Sequence, residues 1–241
     1  LRGVITGVAF VRAILLSAGL GTRLRPLTNE VPKCLVPING RPLLDIWLEK
    51  LTLSGFGPFL VNTHYLSGQV ERYLSDSCYA SVVTLLNEPQ LLGTAGTLIR
   101  NRAFFEETDG LLLHADNYCL ADLDGFVYAH QNRPVDCLLT MMTFRTDSPS
   151  SCGIVELDER GVVIGFYEKV SSPPGDLANG AIYLLSNEFL NYIGEEFLGS
   201  VDFSVDVLPK MLGKIYTYET KEILIDIGTI SAYKAACANA V

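Results

Sequence analysis

A glycine turn followed by three cations is the part of this sequence with the clearest chemical potential. Gly19 and Gly21 come directly after an apolar run, and Arg23, Arg25 and Lys33 follow them. Glycine lets a backbone turn tightly and approach a ligand closely, and successive amide hydrogens in such a turn bind phosphate. The stretch therefore predicts a site for a phosphorylated ligand at the end of a buried strand.

The turn differs from the two commoner phosphate-binding motifs. It lacks the third glycine of the dinucleotide fingerprint and the Gly-Lys-Ser/Thr ending of the P-loop. The alternative interpretation is a plain strand-to-helix turn with solvated arginines. A plain turn does not need both Arg23 and Lys33. Lys33 lies between two prolines, Pro32 and Pro37.

Two aspartates end apolar runs elsewhere in the chain. Asp116 follows Leu-Leu-Leu-His-Ala, and Asp226 follows Ile-Leu-Ile. Mg²⁺ typically takes one or two carboxylates together with phosphate oxygens and water, although an aspartate at a strand end is also a common turn former or helix cap. The sequence shows no triad-like grouping of its histidines, which are His64, His114 and His130.

Together these motifs resemble the sugar-1-phosphate nucleotidylyltransferases, and the similarity covers almost the whole chain. The signature Gly-x-Gly-Thr-Arg-Leu-x-Pro-Leu-Thr lies at residues 19–28, and Pro-Lys-x-Leu-x-Pro lies at residues 32–37. The resemblance implies attack of a sugar-1-phosphate oxygen on the α-phosphorus of a nucleoside triphosphate, with Mg²⁺ as cofactor and pyrophosphate as leaving group. The product would be a nucleotide-sugar, a precursor of cell-surface polysaccharide.

The resemblance also implies a role for individual residues. The catalytic residues would be Arg23, Lys33, Asp116 and Asp226, with both aspartates as metal ligands and Lys33 on an exposed loop. The nucleotide would be bound by Ser17, Ala18, Gly19, Gly21, Thr22, Arg23, Glu88, Gly93, Thr94 and Ala95. The sugar phosphate would be bound by Asn117, Gly153, Glu168, Lys169 and Asn179.

Several positions depart from the family pattern. Cys34 and Val170 replace prolines, Ala115 and Ala181 replace glycines, Leu224 replaces a tryptophan and Cys152 replaces a tyrosine. The last replacement leaves the identity of the sugar open.

The segment Leu92-Gly-Thr-Ala-Gly96 bears on the base. It is close to the form in short mannose- and heptose-1-phosphate guanylyltransferases, which favours GTP with a mannose- or heptose-type 1-phosphate. The alternatives are UTP or dTTP with another sugar, and a catalytically silent subunit that binds nucleotide-sugars. A glycosyltransferase of related fold would show an Asp-x-Asp metal motif. Asp122 and Asp124 have that spacing, but they read as the start of a helix.

Composition limits the possible partners. The 241 residues carry a net charge of −9 and are 49% hydrophobic, so an acidic surface argues against nucleic acid and anionic membranes. None of the six cysteines has C-x-x-C spacing, which makes a zinc site unlikely and favours reduced thiols in a cytoplasmic protein. Family members are often homo-oligomers, and the resemblance extends that expectation here.

The elements that position these residues follow from hydrophobic patterning. Strands are predicted at 13–17, 59–62, 82–86 and 111–115, and helices at 43–53, 67–74, 94–101 and 123–131, with Ser67 and Asp122 as N-caps. Later strands are predicted at 135–144, 153–157, 162–167 and 181–185, with a hairpin turn at 159–161. Helices are then predicted at 187–193, 205–212 and 231–240, with a strand ending at Asp226.

Buried strands alternating with helices indicate an α/β fold with a largely parallel sheet. The glycine turn and Asp116 each follow a strand of this sheet, so both would lie at the edge where ligands bind. The resemblance makes the fold a three-layer Rossmann-like nucleotidyltransferase fold, similar to glycosyltransferase A, with a mostly parallel mixed central sheet and a small β-rich lid region. We expect an N-terminal extension at 1–10 and one domain at 11–241. Its nucleotide-binding half would be 11–134 and its sugar-binding half 135–241, without a left-handed β-helix.

Overall fold

The structure, a computed structural model, describes residues 11–240; the predicted N-terminal extension lies outside the described residues. The strands are β1 (Val11–Leu16), β2 (Pro37–Ile38), β3 (Arg41–Pro42), β4 (Phe56–Thr63), β5 (Val83–Asn87), β6 (Gly110–His114), β7 (Asn117–Cys119), β8 (Leu139–Arg145), β9 (Gly153–Leu157), β10 (Val163–Glu168), β11 (Leu177–Leu185), β12 (Ile215–Glu219) and β13 (Leu224–Asp226). The helices are α1 (Leu43–Leu53), α2 (Ser67–Ser75), α3 (Gly93–Arg100), α4 (Leu123–Gln131), α5 (Asn187–Glu196) and α6 (Ile230–Asn239).

A mixed sheet of nine strands forms the centre of the described chain. Its first half is parallel, in the order β6-β1-β4-β5, with Leu15 of β1 level with Val61 of β4 and Leu113 of β6. The carboxyl ends of parallel strands meet at one edge, where ligands of open α/β sheets bind. The glycine turn and Asp116 are therefore delivered to the same edge, as predicted.

Helices cover both faces of this sheet. Along β6, Leu111 and Leu113 pack into one hydrophobic cluster, which contains buried residues of α1, α2, α4 and α6. Leu112 points to the opposite face and joins a second cluster with residues of α3 and α5. Alternate residues of a buried strand face opposite sides, so the apolar run produces the three layers of the predicted α/β fold.

The β-rich second half extends the same sheet. β11 pairs antiparallel with β6 and also with β8 and β9, while β10 pairs with β9 and β12 pairs with β8. The small lid region that we expected is thus continuous with the central sheet in the described residues. The turn predicted at 159–161 does join the antiparallel strands β9 and β10, and Gly161 has a φ of +77° there.

Three predictions about local structure were wrong. Residues 135–138 precede β8 instead of belonging to it, because Cys137 N closes a turn onto Pro134 O at 2.9 Å. Residues 203–207 form a π-helical turn and 208–210 a 3₁₀ turn in place of an α-helix at 205–212, since Pro209 lacks an N–H and would clash inside an α-helix. Ser67 is the first helical residue after Leu66 and makes no cap.

Candidate active site

The glycine turn is tightly packed after β1. Gly21 has a φ of +62°, and a Cβ atom there would lie 2.9 Å from Thr28 Cγ2, so the position requires glycine. Thr28 Oγ1 donates a hydrogen bond to Gly21 O at 2.7 Å. The next residues, Thr22–Leu24, form a 3₁₀ turn that leaves Arg23 with a side chain 72% exposed. The turn therefore presents an exposed guanidinium at the sheet edge.

Lys33 occupies the centre of the site. Its Nζ atom lies 2.6 Å from Asp116 Oδ2 and 3.0 Å from Asp226 Oδ1. Arg23 Nη2 lies 4.0 Å from the other oxygen of Asp226. The four residues predicted to be catalytic thus form one ion-paired cluster. The expectation of an exposed Lys33 was wrong, because its side chain is only 8% exposed.

The electrostatics of this cluster hold Lys33 and Asp116 in their charged forms. Burial opposes charge on Lys33, but the carboxylates of Asp116 and Asp226 outweigh it and raise the pKa of Lys33. Burial also opposes ionisation of Asp116, yet the Lys33 ammonium, aided by His114, lowers the pKa of Asp116 below its usual value. Both groups are therefore charged at neutral pH.

The geometry of β13 explains how Asp226 reaches the cluster. β13 pairs antiparallel with β7, so that Asp226 lies opposite Asn117, one residue after Asp116. Ile227 N donates to Asp116 O at 3.1 Å. Two segments far apart in sequence therefore lie side by side, and Asp116 and Asp226 both contact the Lys33 ammonium.

A first cavity, of about 230 Å³, opens beside the glycine turn. We call it the glycine-loop cavity. Its lining includes five of the residues predicted to bind nucleotide, which are Ala18, Gly19, Glu88, Gly93 and Thr94. The same cavity is lined by His114 and Asp116.

The other residues predicted to bind nucleotide have different surroundings. Ser17 is tied to β4, because its N donates to Asn62 Oδ1 at 2.7 Å and its Oγ donates to Asn62 O. Ala95 is fully buried, and its N donates to Val201 O at 2.9 Å. Gly21 and Thr22 are not among the residues that line the cavity.

Glu88 is a buried carboxylate that shapes the glycine-loop cavity. Its Oε1 accepts hydrogen bonds from Thr97 Oγ1 at 2.6 Å and Asn62 Nδ2 at 3.0 Å, and its Oε2 accepts one from Leu92 N at 3.1 Å. These bonds join β4, α3 and the loop before α3. Thr94 does not cap α3, because it lies inside the helix and its Oγ1 accepts from Phe203 N at 2.7 Å.

A second cavity, of about 290 Å³, lies on the other side of Asp116. We call it the Lys169 cavity. It is lined by all five residues predicted to bind sugar phosphate, namely Asn117, Gly153, Glu168, Lys169 and Asn179, and by Arg23, Asp116 and Asp226. Lys169 Nζ pairs with Glu168 Oε1 at 3.0 Å while its side chain stays 66% exposed. A cationic and an anionic group therefore face the same space.

Several residues that line the cavities, among them His114 and Ser204, were assigned no role from the sequence. His114 lines both cavities, together with Asp116; its position two residues before Asp116 at the end of an apolar strand was the available signal. Ser204 lines the Lys169 cavity from the π-helical turn, where no sequence pattern indicated a site. Asp122, by contrast, is the predicted cap, accepting from Asp124 N at 3.0 Å and Gly125 N at 3.1 Å.

The residues that can hold a divalent cation are Asp116 and Asp226. Within residues 11–240 no group of three or more His, Cys, Asp or Glu side chains is placed to bind a metal. All six cysteines are free thiols, and burial raises the pKa of Cys34, next to Lys33, to about 12. None of the helices in this part of the chain is long and apolar enough to cross a membrane.

Known proteins are similar to this chain in sequence and in architecture. The chain is 28% identical over 242 residues to the UTP–glucose-1-phosphate uridylyltransferase of Synechocystis, covering 92% of this chain and 61% of that protein. It is 29% identical over 224 residues to the D-glycero-alpha-D-manno-heptose 1-phosphate guanylyltransferase of Campylobacter jejuni, covering 92% and 97% of the two chains. Thus the chain spans 61% of the length of the first of these curated relatives.

The fold matches solved structures as well. The crystal structure of HddC from Yersinia pseudotuberculosis complexed with GMP-PN superposes with a TM-score of 0.79 at 26% identity, covering 95% of this chain and 99% of that one. The Nucleotidyl transferase family matches residues 12–240, which include every residue of the ion-paired cluster and of both cavities. The chain therefore belongs to the nucleotidyl transferase family.

Proposed function

We propose that this chain transfers a nucleoside monophosphate from a nucleoside triphosphate to a sugar-1-phosphate, forming a nucleotide-sugar and pyrophosphate. The observation that carries the proposal is the junction of the two cavities. The glycine-loop cavity and the Lys169 cavity share His114 and Asp116. A nucleotide in the first and a sugar phosphate in the second would bring their phosphates together beside Asp116.

The cluster suits a reaction between two polyanions. In this reaction a phosphate oxygen of the sugar-1-phosphate forms a bond to the α-phosphorus, and the bond from that phosphorus to the pyrophosphate oxygen breaks. No covalent intermediate is needed, so the protein has to align the substrates and neutralise charge. Arg23 has an exposed guanidinium that can bind phosphate in a bidentate manner, and Lys33 supplies a fixed positive charge.

The donor set of Asp116 and Asp226 fits Mg²⁺. Both carboxylates contact one cation, the Lys33 ammonium, within 3.0 Å, so they converge on one position from two segments of the chain. Mg²⁺ prefers one or two carboxylates and takes its remaining ligands from phosphate oxygens and water. When bound, the metal would supply charge neutralisation at the phosphates.

We propose GTP with a mannose- or heptose-type 1-phosphate as the substrate pair. The Leu92-Gly-Thr-Ala-Gly96 segment supports GTP, since its Gly93 and Thr94 line the glycine-loop cavity. The guanylyltransferase relative, matched over 97% of its length, and the GMP-PN complex of the structural neighbour also support it. UTP is the rival base, because the uridylyltransferase relative is nearly as similar.

The test is pyrophosphate release. Purified protein is incubated with Mg²⁺, each nucleoside triphosphate and a panel of hexose and heptose 1-phosphates. Release with GTP and a mannose- or heptose-type phosphate supports the full proposal. Release with UTP or dTTP alone keeps the reaction and overturns the base. No release with any pair, despite tight nucleotide binding, rejects the transferase in favour of a silent binding subunit.

A further inference from the structure

Residues 201–207, here the 201–207 segment, link the two cavities. On one side the segment is bound to the start of α3. Val201 O accepts from Ala95 N at 2.9 Å, and Phe203 N donates to Thr94 Oγ1 at 2.7 Å. A Cβ atom on Gly93 would overlap Val201 O, so only glycine permits this approach. The segment is thereby fixed to the helix that lines the glycine-loop cavity.

Hydrogen bonds within the segment hold its backbone in this conformation. Asp206 Oδ2 accepts from Val201 N at 2.8 Å and Asp202 N at 2.9 Å. Asp202 Oδ1 in turn accepts from Ser204 N at 2.8 Å and from Val205 N at 3.0 Å. The two carboxylates thus accept hydrogen bonds from four backbone amides of the segment. These hydrogen bonds hold the backbone of Ser204 in place.

Phe203 anchors the segment in the second hydrophobic cluster. The side chain is 1% exposed, and its ring centroid lies 4.9 Å from that of Tyr183 and 6.1 Å from that of Phe189. π-Helical turns are rare and are frequent at functional sites. Here the turn places the residue after the anchor, Ser204, in the lining of the Lys169 cavity.

The Ser204 side chain belongs to a small polar network at the base of that cavity. Asn179 Nδ2 donates to the Tyr183 hydroxyl at 2.7 Å. Burial raises the pKa of Tyr183, while hydrogen bonds from Asn179 and Ser204 act against that shift. A buried neutral phenol therefore joins Ser204 to Asn179, one of the residues predicted to bind the sugar phosphate.

Building on the proposed function, we propose that the Ser204 hydroxyl binds a ring hydroxyl of the sugar-1-phosphate, with Tyr183 as its positioning residue. A neutral group that both donates and accepts suits a sugar hydroxyl. The charges that the phosphate requires come from Arg23 and Lys169, which line the same cavity. Ser204 is thus a recognition residue for the sugar. Its segment is hydrogen-bonded to the start of α3, so its position is fixed relative to the glycine-loop cavity.

The test measures binding and turnover separately. Calorimetry on the full chain with Mg²⁺ and a non-hydrolysable GTP analogue gives the Kd of α-D-mannose 1-phosphate, and titration with the analogue alone gives the nucleotide Kd. Ser204→Ala is expected to raise the sugar-phosphate Kd and KM about fivefold to tenfold, the size of one neutral hydrogen bond. The nucleotide Kd and the inhibition by inorganic phosphate should stay within about twofold.

Val205→Ala, on an exposed neighbour in the same segment, is the matched control and should change neither Kd. Tyr183→Phe should raise the sugar-phosphate Kd less than Ser204→Ala does, and the double variant should show less than the additive loss, because one residue acts through the other. Additive losses would remove the positioning role of Tyr183.

The outcomes separate the two proposals. An unchanged sugar-phosphate Kd in Ser204→Ala, or a nucleotide Kd that rises by the same factor, overturns the role of Ser204. So does a wild-type protein that binds nucleotide but none of the hexose or heptose 1-phosphates. A weakened sugar-phosphate Kd in Ser204→Ala without pyrophosphate release from the wild type upholds Ser204 and rejects the transferase.

Discussion

Lys33 Nζ lies 2.6 Å from Asp116 Oδ2, so a residue of the loop after β1 neutralises a carboxylate at the end of β6. The same ammonium contacts Asp226, the last residue of β13, at 3.0 Å. Three segments far apart in the chain therefore depend on one another electrostatically. Substitution of any member changes the charge balance of the whole cluster, and this coupling determines what each variant should do.

Asp116→Asn is expected to reduce turnover by at least about 100-fold, the scale seen when a preorganised charge is removed from a phosphoryl-transfer or related site. The melting temperature should change little, because Lys33 keeps Asp226 as its partner. Pyrophosphate release and thermal unfolding check the two statements. Asp124→Asn, on the exposed start of α4, is the control, and near wild-type turnover by Asp116→Asn would remove Asp116 from the reaction.

Lys33→Ala should lower the free energy of unfolding as well as the turnover rate. Loss of the ammonium leaves two carboxylates facing each other. Because the Asp226 side chain is 55% exposed, we expect a loss of about 2 kcal/mol in the free energy of unfolding, below the roughly 3–5 kcal/mol typical of fully buried pairs. Added Mg²⁺ should raise the melting temperature of this variant more than that of the wild type.

Lys234→Ala, on the exposed face of α6, is the matched control for this substitution and should show neither effect. If Lys33→Ala unfolds at the wild-type temperature and Mg²⁺ shifts both proteins equally, the ion pairs contribute nothing to stability. The charges of the cluster would then serve the reaction alone and not the stability of the fold.

Ala181→Gly should stabilise the protein. Ala181 has a φ of +54°, a left-handed conformation that costs a residue with a Cβ atom about 1–2 kcal/mol. Asn179 Oδ1 holds this conformation by accepting from Ala181 N at 2.9 Å. Glycine removes the strain but adds freedom to the unfolded chain, so the net gain should be about 0.5–1 kcal/mol in urea unfolding.

The control for this prediction is Ala178→Gly on the same strand. Ala178 is fully buried and is not among the residues of positive φ, so glycine there should lower stability. Equal losses for both variants would show that the Ala181 conformation stores no strain.

The sequence predicted what depends on local pattern. α1 and α4 have the predicted bounds, because apolar periodicity and the Asp122 cap act within a few residues. The apolar runs of β1 and β6 predicted that the glycine turn and Asp116 reach one sheet edge. Lys33 was placed wrongly because its burial depends on β7 and β13 pairing across more than a hundred residues.

The region after residue 200 shows the same limit. Its hydrophobic spacing predicted an α-helix, whereas contacts with α3 and the buried Phe203 hold a π-helical turn there. Pro209 already disfavours an α-helix there, and the tertiary contacts determine which turn replaces it and where Ser204 lies. Sequence similarity to the family marked the ion-paired cluster, but only the fold brings Ser204 and His114 to the cavities.

Stability should fall as the pH drops from neutral because of a histidine outside the site. His130 is a buried residue in the last turn of α4, with Nδ1 2.8 Å from Thr140 Oγ1. Burial lowers its pKa, and the neighbouring Asp109 only partly opposes the effect. The folded state therefore disfavours the imidazolium, and the unfolded chain takes up a proton first as the pH falls through about 6.5.

The contribution of His130 is accordingly complete above the pKa of the unfolded histidine and is lost progressively below it. Urea unfolding at pH 7.5, 6.5 and 5.5 measures the slope, and His130→Gln should flatten it, with His64→Gln as the matched control. If His130→Gln and the wild type lose stability in parallel over this range, protonation of His130 is not what weakens the fold. Carboxylates such as Asp109, whose pKa is lowered in the folded state, take up protons below this pH range and would not produce the same slope.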